Sequence, residues 1–465
     1  MWSALWKWLD SRTGLPSAVA GFFDEQIPAS SGWHQVFGSV AVFSFLVQAF
    51  TGILLALNFA PVAGESYYSL KYIIMEVSGG RLIRQLHHWG ASLMIVVVVL
   101  HMVQVFIWGA YRKPREATWM AGVLLLLLTL GYGLTGYLLP WDNRAYWGTV
   151  VATRIAGLAP GAGPYVQQLL GAPDGVVGAV TFSRFYTIHV LLLPPLTALL
   201  ILFHIFLVRK HGVAPQPGDE SLPKKAFFPG QVFKDTLAIF VTFAILYTLA
   251  LAVRVPLERL ADPTDTTYVP RPDWYFLFLF QLLKFFEGPL EVVGAVILPT
   301  LAILALLAVP FLDRSRLTHV RQRTLAMGVV ALAALGWGAL TYTAAATTPQ
   351  TPGAHFDATA VEPWQTWTPK ELAAATPDMA PAAAIDSAKL YVKLGCAACH
   401  VVNGQGGKSG PALNGLMFRR DATWLAGHFR EPQKFSPGTT MPAYDLPPAQ
   451  MDPLIQWLLA LPPAD

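Results

Sequence analysis

Charge is scarce in this chain. Asp, Glu, Lys and Arg make up only 13% of its 465 residues, about half the fraction carried by an ordinary soluble domain. Cysteine is scarcer: Cys396 and Cys399 are the only two, so no disulfide framework staples the fold. The formal net charge is +4 and no basic run is interleaved with aromatics, which excludes nucleic acid as a partner. Residues 1–27 show no apolar core followed by a small-residue cleavage site, so no signal peptide is expected. Trp2, Leu5, Trp6 and Leu9 recur there at helical spacing beside Lys7 and Asp10, as in an interfacial helix. The chain is instead 54% hydrophobic. Its apolar residues gather in long runs, and its last third drifts toward Ala, Pro, Thr and Gly. That shift marks a membrane body, a linker and a small soluble domain.

A spanning helix needs roughly 20 mostly apolar residues. Seven stretches qualify: Val36–Phe59, Leu86–Trp108, Trp119–Leu139, Phe182–Val208, Thr236–Val253, Val292–Phe311 and Leu325–Tyr342. Arg112, Lys113 and Arg115 follow the second stretch; Arg209, Lys210, Lys224, Lys225 and Lys234 follow the fourth; Arg314, Arg316, Arg321 and Arg323 follow the sixth. With Lys7 and Arg12 they define the cytoplasmic side. An odd number of spans then places the N-terminus in the cytoplasm and the C-terminal domain in the periplasm of a bacterial inner membrane.

Ionisable residues inside the bilayer are functional by default. The second stretch holds His87, His88 and His101, and the fourth holds His189 and His204. At about 100° per residue, His87 and His101 return to within about 40° of one face, and His189 and His204 to within about 60°. Each pair is separated by roughly 21–22 Å along its helix. Two such helices running in the same direction form two bis-histidine sites stacked across the membrane. Axial His suits heme iron, whereas zinc prefers four clustered ligands. Gly38 and Gly52, and Gly122 and Gly136, repeat the four-turn offset. They admit a flat group near the backbone or, alternatively, close helix packing.

Near the C-terminus, C-A-A-C-H (Cys396–His400) is a heme c attachment motif: two thiols for thioethers and His400 for the iron. The segment S-P-G-T-T-M-P (Ser436–Pro442) resembles the axial-methionine loop of class I cytochromes c, making Met441 the sixth ligand rather than Met379, Met417 or Met451. A helical pattern at Asp386–Leu394 precedes the motif. Another, at Met451–Leu461, is expected to pack across it through Trp457.

Four ordered motifs then carry a resemblance over roughly residues 20–345. R-L-I-R-Q-L-H-H-W (Arg81–Trp89), G-Y-L-L-P-W-D-N-R-A-Y-W-G (Gly136–Gly148), R-F-Y-T-I-H-V-L-L-L-P (Arg184–Pro194) and P-D-W-Y (Pro272–Tyr275) resemble the cytochrome b of bc and plant-type b-f complexes. The resemblance implies that His87 and His189 hold a heme near the periplasmic side, and His101 and His204 one near the cytoplasmic side. Arg84 becomes a propionate partner and His88 a spare. The longer His189–His204 interval and the seven spans match the plant-type branch. Its two halves are continuous here, however, and Val36 stands where that branch attaches an extra heme through Cys, so no third heme is expected in the membrane body.

The same resemblance makes Asp273 and Tyr275 the outer quinol-oxidation site. Asp in place of the Glu of many relatives points to menaquinol. Phe227–Asp235 resembles the inner quinone-binding segment, with Lys234 and Asp235 assisting protonation and Arg209 as a further candidate. A Lys–Asp pair capping the fifth span, and a positive-inside charge at Arg209, are the alternatives.

The expected fold is all-α. Residues 1–35 are an interfacial segment, 36–215 a four-helix heme-binding core, 216–345 a three-helix quinone-site domain, 346–384 a linker and 385–465 a small all-α cytochrome c domain. The expected cofactors are two non-covalent b hemes, one covalent c heme and quinol or quinone. The implied function is quinol:cytochrome c oxidoreduction coupled to proton translocation. The implied partners are a Rieske iron–sulfur protein, the quinone pool, a soluble cytochrome c or similar acceptor, the lipid bilayer and a second copy of the complex. A heme-bearing membrane anchor that serves another dehydrogenase, with no quinol site of its own, is the competing reading.

Overall fold

A computed structural model describes residues 2–215, 221–263, 265, 268–315, 320–348, 379–402, 405–407 and 409–462. Most of the expected linker lies outside these residues. The chain divides into two units, Met1–Val255 with Thr267–Thr351, and Pro256–Thr266 with Pro352–Asp465.

In the first unit, seven helices are long and apolar enough to cross a membrane: Trp33–Ala56, Gly80–Trp108, Glu116–Tyr137, Ala179–His211, Gly230–Ala252, Gly288–Leu312 and Thr324–Thr347. Each overlaps one of the seven expected stretches. The first span packs on the second, the second on the third and the third on the fourth. The fifth lies against the first and second, while the sixth contacts the third and the seventh the second. Their outward faces keep large apolar side chains exposed, such as Leu46, Phe50 and Ile53 on the first span, as a lipid-facing surface requires. Two short helices, Trp2–Thr13 and Leu15–Phe23, precede the first span. Leu5, Trp6 and Trp8 are exposed there, in keeping with an interfacial segment.

The fourth span is not regular. His189 sits in a single turn of π-helix at Ile188–Leu192. Pro194 and Pro195 follow, and neither has an N–H to give to the carbonyls of Val190 and Leu191. The wider turn adds one residue to the helix. It thereby absorbs the extra residue of the fifteen-residue His189–His204 interval. With one residue absorbed there, the offset becomes about 40°, the same as for the His87–His101 interval.

On the Lys/Arg-rich side, Gln26–Pro28 pairs antiparallel with Lys224–Ala226, Ile27 opposite Lys225. This two-stranded ribbon ties the N-terminal segment to the loop after the fourth span. Arg323, at the start of the seventh span, forms a second tie. Its side chain is 3% exposed and pairs with Asp313 at 2.9 Å. It also donates to the Tyr111 hydroxyl at 2.7 Å and to the carbonyls of Phe106 and Ile107. Burial and the hydrogen bond to Asp313 push the Tyr111 phenol up to about 12. The ends of the second and sixth spans are thereby bound to the start of the seventh.

In the second unit, helices Pro381–Lys393 and Pro448–Leu459 pack on each other. Trp457, fully buried, meets Tyr391 with ring centroids 5.2 Å apart. A short ribbon pairs Val401–Val402 with Gln405–Gly406. The helix contact and its Trp457 are as expected.

Asp313 also keeps Arg112 at 3.1 Å and Tyr111 at 2.5 Å, so loss of the buried Arg323 costs part of the roughly 3–5 kcal/mol of a broken buried pair. Arg323→Ala should therefore lower the thermal midpoint of the detergent-solubilised protein by several degrees. Arg323→Lys, which keeps the charge, should fall between. A midpoint for the Ala variant equal to wild type would show that the clamp contributes nothing.

Candidate functional site

The four spaced histidines each face a glycine. A Cβ placed on Gly52 would lie 3.2 Å from the Cε1 of His87, and one on Gly136 2.6 Å from that of His189. For Gly38 against His101 and Gly122 against His204 the distances are 3.6 and 3.5 Å. Gly136, and more weakly Gly52, thus make room for an imidazole, whereas at Gly38 and Gly122 a Cβ would be in ordinary contact.

Threonines orient the upper pair. Thr51 Oγ1 lies 3.0 Å from Nδ1 of His87, and Thr135 Oγ1 lies 3.0 Å from Nδ1 of His189. Each hydroxyl has one proton, already given to a carbonyl of its own helix: Val47 at 2.7 Å and Gly131 at 2.8 Å. Thr51 and Thr135 must therefore accept from the imidazoles. The proton then resides on Nδ1, and the Nε2 lone pair is left for a metal. The two rings stand 6.3 Å apart between centroids, inclined by 72°. One ion with two metal–nitrogen bonds of about 2 Å fits that gap. The sequence holds this signal as a repeated Thr-Gly, at Thr51-Gly52 and Thr135-Gly136, which spacing arguments on histidine and glycine alone missed.

His101 and His204 border a cavity of about 550 Å³ with Gly38 and Gly122 on its walls. Nδ1 of His101 is buried without a hydrogen-bond partner. Among the described residues no three His, Cys, Asp or Glu side chains converge on a point, which speaks against zinc. The paired imidazoles beside glycines fit b-type heme at both levels, and at His87 and His189 the tautomer fits as well. Arg84 is 9% exposed and donates to the Val255 carbonyl at 2.6 Å.

The same cavity reaches the Lys/Arg-rich end of the bundle. Asp235 lines it, accepting from Ser39 at 3.0 Å and Gln231 at 2.8 Å. Arg209 lines it too, paired with Glu25 at 3.0 Å. Lys234 is not among the lining side chains. Glu25, Ser39 and Gln231 went unnoticed in the sequence. Glu25 is carried there by the ribbon, whose register no local pattern announces.

At the opposite end, Asp273 and Tyr275 come together as expected. The Tyr275 hydroxyl donates to Oδ2 of Asp273 at 3.2 Å. A Cβ on Gly133 would fall 2.9 Å from that hydroxyl, so the third span passes close by. Arg144 is an unexpected member. It pairs with Oδ1 of Asp273 at 2.6 Å and donates from Nε to the Tyr137 hydroxyl at 3.1 Å. Burial first, and the Asp273 charge second, hold the Tyr275 phenol above its usual value.

In the second unit, His400 donates from Nδ1 to the Pro411 carbonyl at 2.9 Å, given its free Nε2 for the iron. A Cβ on Gly410 would fall 2.6 Å from its ring. Cys396 and Cys399 are not joined in a disulfide, and Met441 packs against the domain core. Met451 is buried in that core and Met417 is exposed.

Three family models match in order. Cytochrome b(N-terminal)/b6/petB covers residues 92–260, cytochrome b(C-terminal)/b6/petD residues 260–359 and cytochrome c residues 384–462. The chain is similar to the cytochrome bc complex cytochrome b subunit of Chlorobaculum thiosulfatiphilum, 38% identical over 64% of this chain and 74% of that protein. It is similar to the menaquinol:cytochrome c reductase cytochrome b subunit of Geobacillus thermodenitrificans, 36% identical over 46% of this chain and 99% of that protein. With cytochrome b6 of Chlamydomonas reinhardtii it shares 34% identity over 46% of this chain and 98% of that protein. Among solved structures, a chain of the hyperthermophilic respiratory Complex III matches with a TM-score of 0.66 and 28% identity, covering 74% of this chain and 92% of that one.

His101→Ala should remove one b-type heme and leave the c-type absorption band in place. Gly136→Val, whose side chain would overlap His189, should remove the other. Retention of both b hemes in either variant, read by pyridine hemochrome spectra, would break the pairing.

Proposed function

Since the chain belongs to the cytochrome b family of cytochrome bc complexes and carries a cytochrome c domain, we propose that it oxidises quinol at Asp273 and Tyr275 on the periplasmic side. The observation that carries this reading is the carboxylate–phenol contact of 3.2 Å beside the third span. Quinol oxidation releases protons outward, and a carboxylate there can accept one. Tyr275 holds that carboxylate in place and supplies a hydroxyl to the quinol. Menaquinol is the proposed substrate: the short Asp side chain supports it, as does the Geobacillus relative named a menaquinol:cytochrome c reductase subunit.

When bound, two b hemes at His87–His189 and His101–His204, with one c heme on Cys396, Cys399, His400 and Met441, supply one-electron carriers. The chain's own residues do the rest. Thr51 and Thr135 fix the tautomers of His87 and His189. Asp235, with Ser39 and Gln231, and Arg209 with Glu25, form the proposed inner quinone site, where carboxyl groups beside the cavity deliver protons. Lys234 and Arg84 keep the roles that the resemblance implies, cation at the inner site and propionate partner.

A Rieske iron–sulfur protein is the proposed first electron acceptor, because both cysteines of the sequence are committed to C-A-A-C-H. The Lys/Arg-rich loops support an N-terminus in the cytoplasm and a cytochrome c domain in the periplasm, where a soluble acceptor collects electrons.

Asp273→Asn removes the base and keeps the size. Quinol:cytochrome c reductase activity of the intact complex, normalised to b heme, should fall about 10²–10⁴-fold. Asp273→Glu should be much milder. An Asn variant as active as wild type would move the proton acceptor elsewhere.

A further inference from the structure

The carboxylate proposed to take the proton has no free oxygen. Oδ1 of Asp273 is 2.6 Å from the Arg144 guanidinium, and Oδ2 accepts from Tyr275. Arg144 is itself held. Its Nε donates to the Tyr137 hydroxyl at 3.1 Å, and that hydroxyl donates onward to the Arg271 carbonyl at 3.0 Å. The guanidinium also stands over the Tyr137 ring, 5.7 Å from its centroid.

Local backbone aims Arg144. It is the second residue of helix Asn143–Gly157, whose first turn is capped by Asp142 accepting from the N–H of Ala145 at 2.8 Å. Just before the cap, Trp141 takes a left-handed conformation with φ of 52°, which a bulky residue adopts only when its surroundings enforce it. Edge contacts with Tyr146 and Phe182 supply that enforcement.

We propose that Arg144 is a positioning residue of the outer site, a latch that keeps the Asp273 carboxylate aimed and occupied until the ion pair opens. The proposal rests on the reading of Asp273 as proton acceptor. The step it governs is a proton transfer: the quinol O–H bond breaks, a carboxyl O–H forms on Asp273, and the electrons leave to the acceptors named above. The other ionisable groups around Asp273 are Tyr275 on its own segment, Tyr137 on the third span, Asp142 beside Arg144, and His88 and Arg84 on the second span.

An opposite charge in contact typically lowers a carboxyl pKa by about 1–3 units. Oxidation needs the deprotonated carboxylate, so on the proposed role the acid limb is expected to move to higher pH once the facing cation is removed. In Arg144→Gln the acid limb of kcat/KM against pH, measured on the purified complex with a short-chain naphthoquinol and ferricytochrome c, should move up by roughly one unit or more. Arg144→Lys keeps the charge and should keep the limb close to wild type. Infrared difference spectra across the same pH range should show the carboxyl C=O band, the one missing in Asp273→Asn, appearing at higher pH in Arg144→Gln.

An unmoved limb and an unmoved band in Arg144→Gln overturn the latch. If Arg144→Gln fails to assemble, judged by its heme spectrum, Tyr137→Phe removes only the hydroxyl that braces Nε. It should shift the limb in the same direction by less, and no shift there also overturns the proposal. A fully active Asp273→Asn would instead overturn the reading beneath it, so the two failures are told apart.

Discussion

An imidazole held in hydrocarbon needs a partner for its ring N–H and room for its ring, and at His87 and His189 the bundle supplies both. In a membrane no hydrophobic force draws helices together. Register must come from close packing and polar contacts. Gly52 against His87 fixes the first span on the second, and Gly136 against His189 fixes the third on the fourth. Thr51 and Thr135 add direction, because each has a single proton already spent on a helix carbonyl. A one-residue slip of either helix would put a Cβ where a ring now lies and break the Thr–His hydrogen bond. The scaffold around the heme sites is therefore specified by a few small residues rather than by a large buried core.

Both ends of the molecule are placed from that register. At one end the ribbon of Gln26–Pro28 with Lys224–Ala226 brings Glu25 to Arg209. The lower cavity thereby runs from His101 and His204 to a carboxylate and a guanidinium. At the other end the third span delivers Gly133 and Tyr137 to the outer cluster, one turn apart. Tyr275 fits against the missing side chain of Gly133. The proposed inner quinone site shares Gly38 and Gly122 with the His101–His204 level.

Much of this was legible because apolar length and histidine spacing survive in one dimension. All seven spans and both histidine pairs come from counting. Counting could not see the local geometry. A regular helix leaves His189 and His204 about 60° apart, and the wide turn at Ile188–Leu192 makes the offset about 40°, as for His87 and His101. Pro194 and Pro195 mark that place, but a proline pair signals a disturbed turn without saying which kind. The repeated Thr-Gly was readable and went unread. The Arg144–Asp273 pair was not readable. Its members are 129 residues apart in sequence, both sit outside the spans, and their meeting depends on the left-handed Trp141, a conformation no propensity assigns to tryptophan.

Two Arg–Asp pairs in the first unit show how burial divides structure from chemistry. Arg323 with Asp313 has side-chain exposures of 3% and 21%, and three further acceptors surround the guanidinium. Arg112 shares the same carboxylate at 3.1 Å, and the buried guanidinium has no solvent to replace these contacts, so the network acts as a lasting clamp between spans. Arg144 with Asp273 is shorter, but its exposures are 35% and 17%. A fully exposed pair, worth about 0–1 kcal/mol, would not orient the carboxylate. A fully buried one would hold it beyond reach of any substrate. The intermediate burial lets a guanidinium both aim the carboxylate and release it, because water or an arriving quinol can replace the lost hydrogen bonds. Tyr137, anchored to the Arg271 carbonyl, keeps Arg144 within reach once the pair has opened. On the proposed role, the carboxylate would be reclaimed after its proton has left, and the same contact would serve the next turnover.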